Sequence, residues 1–218
     1  LSHDATQGLR MAQQAATPTD TYPVPQAHRT TVHMEENLLY DPAHKEASGD
    51  HWYWIDLGFL QVECPDGVQT LSFQLPNRWS GTHSIDLRAS LQGYTPGTHN
   101  LTVQVDDQQV GSLVWEDENR LDSVISFSSA LLTTGESELR FENGACPPPP
   151  PPSPLPNGVL LNYFEVSYLA EHQATGDSLK FWGQAGDWQY EIDGFATSDI
   201  VLFDITEENA PLFLTGGR

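Results

Sequence analysis

Lysine is almost missing from this sequence. Lys45 and Lys180 are the only two, and 9 basic residues in all face 30 acidic ones, a formal net charge of -21. Binding a polyanionic duplex or an anionic bilayer needs clustered Lys and Arg, so nucleic-acid and membrane-surface partners are not expected. Cysteine is as scarce: Cys64 and Cys146 are the whole complement, each followed by proline. Zinc wants close pairs of ligands and dithiol redox chemistry wants Cys-x-x-Cys, and this spacing supplies neither. No apolar run approaches the eighteen or so residues that span a bilayer, so no membrane insertion is expected. Charged residues make up 18%, below the usual quarter. Thr, Ser, Gln, Asn and Gly fill the polar positions instead, a balance that suits exposed strands and turns.

What is present has an order along the chain. Residues 1–33 are rich in Gln, Ala, Thr and Pro without apolar periodicity and read as an extended arm or linker. Leu1 rather than methionine opens the chain, which suggests a signal peptide already removed and a secreted or cell-surface protein. From residue 34 to 170, short alternating segments separated by turn residues predict an all-β fold, an antiparallel two-sheet sandwich. Strands are expected at 54–62, 68–75, 83–91, 99–105, 109–115, 123–127 and 138–142, with a hairpin turn at Asp106-Asp107-Gln108 and one helical turn over 128–132. Leu101, Val103, Val105, Leu113, Phe127, Leu139, Phe141 and Tyr163 are the expected core. The proline run of 146–156 cannot join a ladder and reads as a stiff spacer loop, with a ligand for a proline-binding groove as the alternative. A long apolar strand over 159–168 closes the sandwich. Residues 171–218 read as C-terminal hairpins, at 179–182, 188–192 and 200–203, followed by a linker.

Candidate chemistry is sparse. Neither cysteine has the context of a thiolate nucleophile, and the histidines His3, His28, His33, His44, His51, His83, His99 and His172 include no i, i+2 or i, i+4 pair. Either of two acidic turns, Asp106-Asp107 or Glu116-Asp117-Glu118, is a candidate site for a structural calcium ion, which wants six to eight oxygens. With 30 acids in the chain, such neighbours also arise by chance. Trp79, Tyr94 and Trp115 fall near expected turns and strand ends, where a flat ring can stack on a sugar; core filling is the ordinary alternative. Asn100-Leu101-Thr102 is a formal glycosylation sequon.

Two stretches carry a family resemblance. Residues 100–115 followed by 128–141 resemble the middle of a galactose-binding-like jelly roll. Residues 161–168, then Leu179-Lys-Phe-Trp182, Gly194-Phe195 and 200–206 with Pro211, resemble the segment that precedes the catalytic domain in secreted cysteine peptidases of the gingipain family; residues 36–40 and 50–54 resemble its opening motif. The resemblance implies that the catalytic His and Cys sit in a separate caspase-like domain after Arg218, so this chain is not an enzyme by itself. It implies a non-catalytic accessory or pro-domain, with that caspase-like domain as partner, packed against it or restraining it. A carbohydrate-binding jelly roll with glycan partners is the alternative, and a structural surface or adhesion module is a third. The ending Gly216-Gly217-Arg218 reads as a flexible linker cut at arginine, the processing residue being Arg218.

If Cys64 and Cys146 pair, they close a loop of about 80 residues, worth roughly 4 kcal/mol on the chain-entropy view; two buried thiols are the alternative. Non-reducing mass mapping should yield one Cys64–Cys146 bridged peptide. Two alkylatable thiols in the native protein would exclude the bridge.

Overall fold

A computed structural model describes residues 11–16, 21–44, 51–58, 68–133, 135–143 and 157–217. Strands follow in the order β1 (Ala12–Ala15), β2 (His28–Glu35), β3 (Leu39–Tyr40), β4 (Trp52–Tyr53), β5 (Ile55–Asp56), β6 (Val68–Gln74), β7 (Ser84–Gly93), β8 (Thr98–Val105), β9 (Gln108–Glu116), β10 (Arg120–Ser128), β11 (Glu136–Asn143), β12 (Val159–Ala170), β13 (Leu202–Asp204) and β14 (Leu212–Thr215). Among the described residues the only helical element is one 3₁₀ turn, Ser129–Leu131, capped by the Ser128 side chain. The chain divides into two units, residues 29–170 and residues 1–28 with 171–218.

The larger unit is the expected sandwich, a jelly roll of two sheets. One sheet runs β10-β7-β12-β2, with β5 added beside β12, and the other runs β6-β11-β8-β9. Alternation builds it: in β8, His99, Leu101, Val103 and Val105 are buried while the residues between them are not, as the two-residue period of a strand demands. Leu113, Phe127, Leu139 and Phe141 join them in the core together with Ile85, Leu91, Phe164 and Val166.

Tyr163 departs from the expected core. A register shift between Leu161 and Tyr163 inserts a bulge in β12, and a bulge reverses side-chain parity. Val159 and Leu161 point inward before it and Phe164, Val166 and Tyr168 after it, which leaves Tyr163 half-exposed on the outer face beside His33 and Arg88. Residues 28–33, placed by composition in the arm, form the start of β2 instead. That strand alternates Arg29, Thr31 and His33 outward over the sheet, where Thr31 bonds Ser167 and His33 bonds Glu165.

The Asp106-Asp107 turn explains itself. Val105 pairs with Gln108, so the loop has two residues, and both have positive φ, 47° and 62°. That is the primed hairpin turn, in which Asp and Asn are tolerated. The Asp106 carboxylate then accepts from Thr133 N at 2.8 Å, Thr133 Oγ1 at 3.1 Å and Glu138 N at 2.8 Å, tying the hairpin to β11. Burial opposes its charged form, but the Thr133 and Glu138 amides outweigh that and hold the carboxyl below its usual range.

The smaller unit contains β1 parallel to β14 and β14 antiparallel to β13. Residues 179–182 and 188–192, expected as hairpin strands, have no ladder. Phe181 and Tyr190 of these segments are used in a ring cluster, their centroids 5.0 Å apart.

Three substitutions test this packing. Asp106→Ala strips three donors of their acceptor and should cost about 1–3 kcal/mol in urea unfolding at pH 7, whereas Asp107→Gly should be near neutral. Because the folded pKa of Asp106 is depressed, its contribution is present above the ordinary value of 3.8 and lost as pH falls through the folded value. The stability gap between wild type and Asp106→Ala should therefore narrow in acid. Gly93→Ala should be worse: its Cβ would sit 2.4 Å from Asp117 O and 2.5 Å from His99 Nε2. A loss of about 3 kcal/mol is expected, and an unchanged midpoint would refute the packing.

Candidate functional site

A two-strand ribbon makes the site. β3 and β4 pair through Leu39 with Tyr53 and Tyr40 with Trp52, and Leu38 N and Asp41 N extend the pairing to Tyr53 O and His51 O. Alternation splits the aromatic run His51-Trp52-Tyr53-Trp54. Tyr53 is fully buried, and Trp54 lies parallel to Phe164 with centroids 5.9 Å apart. Leu38, Tyr40 and Trp52 face solvent, 62%, 58% and 41% exposed. Beyond the ribbon, β5 pairs Ile55 and Asp56 with Leu161 and Leu160 of β12.

The space between is a cleft of about 600 Å³. Its walls are mostly apolar, from Leu38, Leu39, Pro42, Trp54, Ile55 and Leu160, with Tyr40, Asp41, Asp56, Gln69 and Tyr94 completing the lining. Asp56 is buried, and Tyr94 Oη donates to its two oxygens at 3.1 and 3.0 Å while Gly58 N donates to Oδ1 at 2.8 Å. Asp41 accepts from Ala43 N and bonds His44 Nδ1 at 2.9 Å. Burial works against its charge, but the His44 and Ala43 hydrogen bonds hold its carboxyl below the usual range. Among the described residues the lining has no hydroxyl or thiol of Ser, Thr or Cys and no histidine. Chemically these apolar walls suit capture of an apolar group.

The structure separates the residues that the sequence singled out. Tyr94 lines this cleft; Trp79 and Trp115 do not. Trp79 lies over Gly81, whose added Cβ would meet the indole at 2.3 Å, and near His83. Trp115 is buried, stacked on His99 at 4.8 Å with Nε1 donating to Asn119 O, so its faces are closed to a ligand. Its parity with Leu113 already placed it inward.

The five candidate calcium ligands lie at opposite ends of one hairpin. Asp106 and Asp107 form the turn between β8 and β9, while Glu116 and Asp117 lie where β9 ends, roughly 25 Å away at the rise of an extended strand. Glu116 accepts from Thr98 Oγ1 and Asp117 from Gly97 N. These residues do not fit a single calcium site, and among the described residues no three His, Cys, Asp or Glu side chains are placed to share a metal ion. Cys64, Cys146, the loop 146–156 and Arg218 lie outside the described residues.

Leu38, Tyr40 and Trp52 of the ribbon and Asp56 of β5 were not named as site residues from the sequence, the first three entering only through the resemblance of 36–40 and 50–54 to an opening motif. The available signal was the density of Leu38-Leu39-Tyr40 and Trp52-Tyr53-Trp54, too short for either strand to be read as a pair.

No protein-family model matches the sequence, and no curated protein matches it. Solved structures do. The chain is similar to dimeric latent PorU from Porphyromonas gingivalis, at 13% identity and a TM-score of 0.57, over 79% of this chain and 15% of that one. This chain thus corresponds to a small part of PorU's length, and at that identity the likeness shows a shared fold. A CBM36-1 domain of a multidomain xylanase from the hindgut metagenome of Trinervitermes trinervoides matches at 7% identity and a TM-score of 0.39, over 63% of this chain and 95% of that one. A carbohydrate-binding module CBM36 in complex with calcium and xylotriose matches at 12% identity and 0.37, over 63% and 98%. At those TM-scores neither module bears on this chain's ligand. Among the described residues no helix is long and apolar enough to cross a membrane.

Proposed function

We propose that this chain is a non-catalytic accessory region of a secreted gingipain-like peptidase polypeptide, and that it holds a caspase-like catalytic domain against the β3–β4 ribbon. The observation that carries this reading is the exposed apolar trio Leu38, Tyr40 and Trp52 at the mouth of an apolar cleft. Large apolar residues gathered on a surface mark a protein contact more often than chance exposure, and aromatic anchors beside a pocket are the usual centre of such a contact. The sequence resemblance to the region before a gingipain-type catalytic domain, and the fold shared with a small part of latent PorU, support the same reading.

Glycan binding, the alternative, needs polar groups aimed at hydroxyls beside a stacking ring. Here the two carboxylates of the cleft are engaged by Tyr94, Gly58, Ala43 and His44, which favours an apolar protein side chain as occupant.

Mixing this chain with the separately produced catalytic part of its parent polypeptide should give a stable complex on size exclusion with lowered peptidase activity. Tyr40→Ser with Trp52→Ser, both exposed and so compatible with folding, should weaken the complex at least about tenfold. Absence of a complex, together with glycan-array binding that the same pair abolishes, would overturn the accessory reading in favour of the carbohydrate-binding one.

A further inference from the structure

The smaller unit holds two buried histidines that nothing above has used. His28 and His172 are 5% and 7% exposed, with ring centroids 4.9 Å apart. Phe181 closes over both, 5.4 Å from His28 and 4.9 Å from His172, and Tyr190 stands edge-on to His172 at 5.4 Å. Inside this aromatic cage His28 Nδ1 and His172 Nε2 are buried without a hydrogen-bond partner.

We propose that the His28–His172 pair makes the smaller unit acid-sensitive, so that protonation of the two rings opens that unit while the sandwich stays folded. Two imidazolium ions at this separation, walled by Phe181 and Tyr190, would repel each other in a place where water cannot solvate them. Tyr190 is the titratable side chain whose ring packs on the pair. Glu171, Lys180, Glu191 and Asp193, the charged neighbours of the cluster along the chain, are exposed, and Arg29 is turned to Asp86. Among the described residues no carboxylate pairs with either histidine.

The direction of titration agrees with the geometry. Burial holds both rings below the ordinary imidazole value of 6.5, and for His28 the neighbouring His172 adds to burial. Below 6.5 the unfolded chain therefore binds more protons than the folded one. Stability then rises with pH across the window between the folded values and 6.5, and is lost as pH falls through it. His33 in the larger unit has the opposite arrangement. Burial disfavours its charge, but Glu35 and Glu165 hydrogen-bond it and hold its pKa above the ordinary value, so it gives the sandwich no such sensitivity.

Hydrogen exchange of the whole chain, corrected for intrinsic rates, should show residues 171–195 losing amide protection between pH 7.5 and pH 5, with 84–116 and 159–170 unchanged. His28→Phe with His172→Phe should keep 171–195 protected at both pH values. Loss of protection in acid by that variant, or no loss in the wild type, would overturn the proposal. An NMR titration of the wild-type imidazoles guards against misfolding of the variant, since a midpoint at or above 6.5 for either ring would overturn it as well.

Discussion

Strand β12 is the constraint on which the sandwich depends. It lies between β7 and β2 and also carries β5, so three elements take their register from it. The bulge between Leu161 and Tyr163 divides its work. On the N-terminal side Val159, Leu160 and Leu161 are all buried, because β5 and the ribbon cover the strand there. On the C-terminal side strict alternation returns, with Phe164, Val166 and Tyr168 facing the core and Tyr163, Glu165 and Ser167 facing out. Without the added residue, Tyr163 would point inward and Phe164 outward, and Trp54 would lose the ring it stacks on.

The outer face that the bulge sets up is a ladder of charges. Arg88 binds Asp122 through two nitrogens at 2.7 and 2.6 Å and reaches Glu165 at 3.2 Å, with Tyr163 beneath its guanidinium. Exposed pairs of this kind contribute little each. In a chain of net charge -21 they have another use, since Arg88 on β7 stands between Asp122 of β10 and Glu165 of β12 and separates two carboxylates on one face of the sheet.

Much of this was legible in the sequence because a strand repeats every two residues. Leu101, Val103 and Val105 could be placed inward with no knowledge of their partners, and the Asp106-Asp107 pair could be read as a turn. The same rule applies to Trp115, which shares its parity with Leu113 and is buried, but its position at a strand end suggested an exposed ring instead. The bulge was not legible, since Leu161-Asn162-Tyr163-Phe164 supports either parity until β7 fixes the register. The cleft was hidden for a different reason. Its walls come from residues 38–42, 54–56, 69, 94 and 160, so it exists only after β3, β4 and β5 have been laid beside β12. The aromatic density of 179–192 suggested strands, but Phe181 packs on His28, far away in the chain, and local pattern carries no information about such a partner.

The two units are held by different physics, and this difference gives the histidine pair its leverage. In the larger unit, β7, β8, β9, β10 and β12 have eight to twelve residues each and share long ladders, so opening any one of them breaks many hydrogen bonds together. In the smaller unit β1 and β14 have four residues and β13 has three, and Val201, Phe203 and Ile205 remain exposed. Such short ladders supply little cooperative stability on their own. The ring cluster of His28, His172, Phe181 and Tyr190 must then supply a larger share, although buried nitrogens without partners each cost on the order of 1–3 kcal/mol. A unit whose stability is a small difference between a ring cluster and that cost responds strongly to any change in the charge of the rings, whereas the sandwich beside it in sequence has long ladders that absorb the same perturbation.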